Sequence, residues 1–171
     1  HPPFVFDQNL NPINIDYPFT IDEYPEYFET QAQYQEAYIE YLLGVNQLTL
    51  EAIDQVLVNS ESDPIIILQS DHGTGFDFSH FSKESNCLFE KYSILNAYYL
   101  PDTTPEDIPQ DISPVNSFRF IFNRYFNAGF TYLPNKAYYS SVASPYLFED
   151  VTESISRKSC DFFMKNSLPY K

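Results

Sequence analysis

IIILQSDHGTG, Ile65 to Gly75, is the stretch on which the reading of this chain turns: an unbroken apolar run ends abruptly in a carboxylate, an imidazole and two glycines. Ile65 to Gln69 is β-branched and shows no apolar–polar alternation, the pattern of a strand covered on both faces. A short polar link, NSESDP at 59–64, precedes it, and before that comes a long helical pattern. Helix, tight link and buried strand in that order predict an α/β fold with a mainly parallel sheet covered by helices. In open sheets of that kind ligands sit beyond the carboxyl ends of the strands, which is where Asp71 and His72 fall.

Working outward, apolar residues recur at three- and four-residue intervals from Tyr34 to Leu57 and predict one amphipathic helix over 31–59. Residues 1–30 carry prolines at 2, 3, 12, 18 and 25 and read as an extended loop with aromatic anchors. Downstream, 73–90 reads as a loop and YSILNAYYL at 92–100 as a second strand. The proline- and carboxylate-rich 101–113 reads as a surface connection. Ser113 followed by Pro114 is a cap with proline in the first turn and predicts a helix through Phe126, with Val115, Phe118, Ile121, Phe122 and Tyr125 on one apolar face. Asn127, Ala128 and Gly129 stop it. The aromatic pieces at 137–140 and 146–148 receive no element. The expected organisation is a loop over 1–30, a helix over 31–59, a sheet core over 60–140 and a tail over 141–171, all within one domain.

With 24 acidic against 9 basic residues in 171, the formal charge of −15 argues against a nucleic-acid partner, since no basic patch is available to neutralise phosphates. Excess carboxylate gives solubility and also suits a protein that handles divalent cations. The 15 Tyr and 16 Phe favour a packed fold over disorder. Two cysteines, Cys87 and Cys160, are too few for a disulfide framework. No apolar run reaches the length of a membrane span. The chain opens on His1 inside sequence that reads as ordered, so a piece of a longer protein is expected.

Asp71 and His72 offer a carboxylate oxygen and an imidazole nitrogen, a donor pair that suits zinc, manganese or similar cations. The same residues also read as a turn cap and a polar strand end. Ser70 and Thr74 read as turn residues, and His80 as a solvent-exposed loop histidine, with reach to the pair as the alternative. Glu90 with Lys91 reads as an exposed ion pair, Arg119 and Arg124 as the wet face of their helix.

HPPF at 1–4, the long helix, IIILQSDHG, FEKYSILNAYYLP at 89–101 and SPVNSFRFIFNRYF at 113–126, taken in order, resemble the C-terminal half of sulfatase-like hydrolases and transferases of the alkaline phosphatase superfamily. The similarity is to a bacterial branch with membrane-anchored members, related to lipoteichoic acid synthases and phosphoglycerol transferases. The resemblance implies part of a sulfatase-like sandwich. It also implies a divalent cation (Mn, Mg, Zn or Ca) held by Asp71 and His72, and an oxyanion contact from His1 beside Pro3 and Phe4. The substrate would be a phosphate or sulfate ester, such as a lipid headgroup or glycan, met outside the cytoplasmic membrane. Membrane contact would come only through other parts of the parent protein. In such proteins the nucleophile and the remaining acidic ligand lie upstream of the His-x-Pro segment, so this chain alone is expected to be inactive. The competing expectation is a non-catalytic binding or structural module, motivated by Tyr-rich segments such as YPEYF at 24–28.

Overall fold

The structure, a computed structural model, describes residues 4–14, 28, 30–74, 83 and 87–155. The chain divides into two units, His1–Pro64 and Ile65–Lys171.

The first unit is built on helix α1, Gln31–Asn59, with the bounds that its apolar spacing predicts. Thr30 starts it through a reciprocal capping box: Gln33 N–H donates to Thr30 Oγ1 at 3.3 Å, and Thr30 N–H to Gln33 Oε1 at 3.1 Å. Ser60 closes it by donating its N–H and hydroxyl to Val56 O. Residues 4–13 fold back on themselves around Asp7, whose carboxylate accepts the N–H groups of Asn9 and Asn11. Phe4 is buried among Phe28, Tyr34, Tyr38 and Tyr41, with ring centroids 5.3–6.1 Å away. The backbone comes so close to α1 that a Cβ on Gly44 would meet Asp7 O and the Phe6 ring at 2.8 Å. The apolar stripe is covered only near the start of the helix. Leu48, Val56 and Leu57 farther along are exposed.

In the second unit, strand β1, Ile66–Gln69, pairs with β2, Asn96–Tyr99, in the antiparallel sense, Ile66 opposite Tyr99 and Gln69 opposite Asn96. A mainly parallel sheet covered by helices is therefore not what forms. Among the described residues there are two antiparallel two-stranded sheets with helices, and β1 is half-buried along its length. The connection, which includes α2 at Leu88–Tyr92, brings the chain back to the end of β1 that it left: just past that strand Ser70 N–H donates to Leu95 O, one residue before β2 begins, so the two strands run in opposite senses. Tyr92 belongs to α2, which shortens the second strand from the expected 92–100.

Helix α3, Pro114–Phe126, begins and ends where expected, with Asn127 (φ 50°) and Gly129 (φ 70°) in the left-handed region. Its buried face differs from the expected one: Asn116, Ser117, Phe120 and Ile121 are inside, while Val115, Phe118 and Phe122 are exposed. Ser113 does not cap with its side chain but donates to Asn135 Oδ1 at 2.6 Å. Ser117 meets Tyr98 Oη of β2 at 2.5 Å, which ties helix to sheet. The segment expected to have no element forms a hairpin, β3 Tyr138–Ser141 with β4 Ser144–Asp150. Its base holds a small core of Leu88, Tyr139 and Val151, against which Tyr92, Ala137 and Ile155 pack.

Cys87, buried at the start of α2, is disulfide-bonded. The chain's other cysteine, Cys160, lies outside the described residues.

At the hairpin base, Lys136 Nζ donates to Asp150 Oδ2 at 2.6 Å, and Thr152 donates its hydroxyl and N–H to Oδ1. The Lys136 hydrogen bond, then those of Thr152, hold the Asp150 carboxyl down to about 2 from its ordinary 3.8. A lowered folded-state pKa stabilises the fold above the unfolded pKa, and that contribution disappears as pH falls toward the folded value. Asp150→Asn is accordingly expected to lower the melting temperature at pH 7, with the difference from wild type shrinking below pH 4 and gone near pH 2. Thermal melts across that range check it, and a gap that stays constant with pH would contradict it.

Candidate metal centre

β1 delivers its chain to a turn that is held on both sides. On the strand side, Ser70 N–H donates to Leu95 O at 3.0 Å and Leu95 N–H to Ser70 Oγ at 2.9 Å. On the far side, Gly73 N–H donates to Lys91 O at 2.7 Å, and the Thr74 hydroxyl donates to the Glu90 carboxylate. Asp71 and His72 are the two residues between these attachments.

Their geometry is specific. Asp71 Oδ1 accepts the His72 N–H at 3.0 Å, so the turn-capping reading is realised with one carboxylate oxygen. The other, Oδ2, lies 3.7 Å from His72 Nε2. The opposite ring nitrogen, Nδ1, is 2.6 Å from Gly73 O. A carbonyl oxygen can only accept, so Nδ1 carries a proton, and in the neutral ring the lone pair sits on Nε2. A backbone carbonyl that fixes the tautomer through the far nitrogen is the usual support of a metal-ligating histidine. A single ion with ligand distances of about 2.0–2.2 Å can bridge a gap of this size. The Asp71 side chain is 89 % exposed and that of His72 27 %, so the pair opens to solvent on the carboxylate side.

Gly73 is needed here for space. Its φ is not positive, but a Cβ would lie 2.1 Å from Glu90 O and 2.5 Å from Ser93 O, both fixed backbone atoms. The reason is packing: α2 lies directly against the turn.

Asp71 Oδ2 and His72 Nε2 thus lie 3.7 Å apart, and two donor groups do not make a full ligand set. Among the described residues no group of three or more His, Cys, Asp or Glu side chains is placed to hold an ion. His1, Gly75 and His80 lie outside the described residues. Phe4, expected to accompany His1, is a core residue of the first unit. Arg119 donates to Val115 O and Arg124 to Asp102 O, so each guanidinium bonds a carbonyl. Sequence reasoning missed Glu90, read as one half of an exposed ion pair with Lys91. Its tie to Thr74 spans sixteen residues, and no local pattern announces it.

No helix among the described residues is long and apolar enough to cross a membrane. Comparison with known protein families, with curated proteins and with solved structures finds no match to this chain.

Proposed function

We propose that Asp71 and His72 are two ligands of a divalent cation in a hydrolase or transferase acting on phosphate or sulfate esters. The observation that carries this reading is the fixed tautomer of His72, with Nε2 facing a carboxylate oxygen at 3.7 Å where an apolar strand ends. The ordered resemblance of its segments to sulfatase-like enzymes supplies the substrate class and gives His1 the contact to the transferred oxyanion. When bound, the cation polarises that oxyanion and lowers the pKa of the attacking group. No residue of this chain is assigned as nucleophile. Thr74 donates its hydroxyl to Glu90 and reads as part of the turn. The disulfide at Cys87 supports placement on the oxidising side of a membrane, because such bonds persist there and are rare in reducing cytosol.

The test is calorimetric titration of Mn²⁺ and of Zn²⁺ into the full chain, comparing wild type with Asp71→Ala and His72→Ala. Binding is expected in wild type and lost in both variants, with circular dichroism unchanged. A ligand that binds only the native state also raises its melting temperature, so a Zn²⁺-dependent rise present only in wild type is the independent readout. Equal binding in all three proteins would overturn the proposal.

One observation favours the competing reading of a binding module. β4 presents Tyr146, Leu147 and Phe148 to solvent, with Tyr146 90 % exposed, an apolar display of the kind that marks interaction surfaces. Function retained in a parent protein carrying both Asp71→Ala and His72→Ala would move the weight to this reading.

A further inference from the structure

We infer that Glu90 is a positioning residue for the Asp71–His72 pair and acts through Thr74. The inference rests on the proposed site for its purpose, and on the geometry of the turn for its substance. α2 reaches the turn at three neighbouring points: the Glu90 carboxylate accepts the Thr74 hydroxyl, Lys91 O accepts the Gly73 N–H at 2.7 Å, and the Glu90 and Ser93 carbonyls fill the space where a side chain on Gly73 would be. Of these, the Thr74–Glu90 bond is the one made by side chains alone, and so the one the sequence can vary without rebuilding the backbone.

α2 is itself anchored at both ends. Cys87 is disulfide-bonded at its start, Leu88 is in the hairpin core, and the Tyr92 hydroxyl donates to Tyr138 O at 2.6 Å at its end. The carboxylate of Glu90 is therefore a fixed point. The Gly73 carbonyl that sets the His72 tautomer lies between the two atoms that α2 holds, Gly73 N and Thr74 Oγ1. Release of Thr74 frees that carbonyl to rotate, and with it the imidazole.

The test uses the full chain in two arms. In the metal-free arm, NMR follows hydrogen exchange of the Gly73 amide and the ¹⁵N shifts of the His72 ring in wild type, Glu90→Ala, Glu90→Gln and Thr74→Val. Glu90→Ala and Thr74→Val are expected to speed Gly73 exchange about tenfold or more and to move the His72 ring away from a single Nδ1–H tautomer. Glu90→Gln, which keeps an acceptor oxygen, is expected to stay near wild type. In the second arm, Zn²⁺ titration of the same proteins is expected to show a tenfold to hundredfold loss of affinity, about the size found for outer-shell partners, in Glu90→Ala and Thr74→Val only. A Glu90→Ala/Thr74→Val double variant is expected to be no worse than either single one.

An unchanged Gly73 amide and His72 ring in Glu90→Ala overturns the inference, whatever the metal does. So does a loss in Glu90→Gln equal to that in Glu90→Ala with none in Thr74→Val, which would make Glu90 a ligand. If the metal-free changes appear but wild type binds no Zn²⁺, the inference stands and the metal reading falls.

Discussion

Gly73→Ala is expected to destabilise the second unit by about 3 kcal/mol, the upper end of the usual cost of overpacking, and to abolish the cation binding proposed for the Asp71–His72 turn. The size follows from what the new methyl group meets. Glu90 O at 2.1 Å and Ser93 O at 2.5 Å are backbone atoms, and the helix that carries the first is anchored by the Cys87 disulfide and by Leu88 in the core. No flexible side chain is available to swing aside, so the turn itself has to leave α2. That movement breaks the Gly73–Lys91 and Thr74–Glu90 bonds together. Gly129 provides the contrast. A Cβ there meets nothing within 4 Å, and its φ of +70° is the sole penalty, so Gly129→Ala is expected to cost only about 1 kcal/mol and to leave metal affinity unchanged. Urea denaturation followed by circular dichroism measures both stabilities, and Mn²⁺ titration measures the site. Equal costs for the two substitutions would mean that α2 does not press on the turn as described.

Local signals in the sequence carried the two long helices, missed the short α2, and failed at everything that depends on long-range pairing. The repeat from Tyr34 to Leu57 located α1 at both ends, and Ser113-Pro114 with Asn127 and Gly129 bounded α3, because capping and periodicity act within a few residues. The apolar run of β1 was equally visible, but nothing in Ile65 to Gln69 encodes the direction of its partner. The bonds of Ser70 with Leu95, made across 25 residues, return the chain to the same end of the strand, and no local pattern encodes them. The β3–β4 hairpin turns at Val142-Ala143 without the Gly or Asn that announces a tight turn, so it left no signal. For the candidate site, the position of Asp71 and His72 was legible from the strand end. The atoms that orient them, Gly73 O and the Glu90 carboxylate, were not, since one is backbone and the other arrives from a separate helix.

The buried face of α3 shows the same limit, and a substitution there should produce the other large effect. Asn116, 4 % exposed, is expected to lower unfolding free energy by about 3 kcal/mol when changed to Ala, because each buried polar group left unpaired costs roughly 1–3 kcal/mol. Its Nδ2 donates to Leu133 O at 2.8 Å and to Asn135 Oδ1 at 2.9 Å, and its Oδ1 accepts the Leu133 N–H at 2.9 Å. One amide thus pairs with both polar groups of the Leu133 backbone, as a neighbouring strand would. Seven residues along the same helix, Asn123 does the same for Phe130, donating to its O at 2.8 Å and accepting its N–H at 2.6 Å. Asparagine is a poor helix former because its side chain competes for backbone hydrogen bonds. Here that tendency is directed outward, to clasp the returning segment onto α3. Two asparagines seven apart on a helix were the available signal. Asn123 is half-buried, and its groups can reach water after truncation, so Asn123→Ala is expected to cost about 1 kcal/mol. Since α3 meets β2 through Ser117 and Tyr98, not through either asparagine, both variants should bind Mn²⁺ like wild type below their unfolding transitions. A cost for Asn116→Ala no larger than that for Asn123→Ala would show that the clasp is solvated throughout.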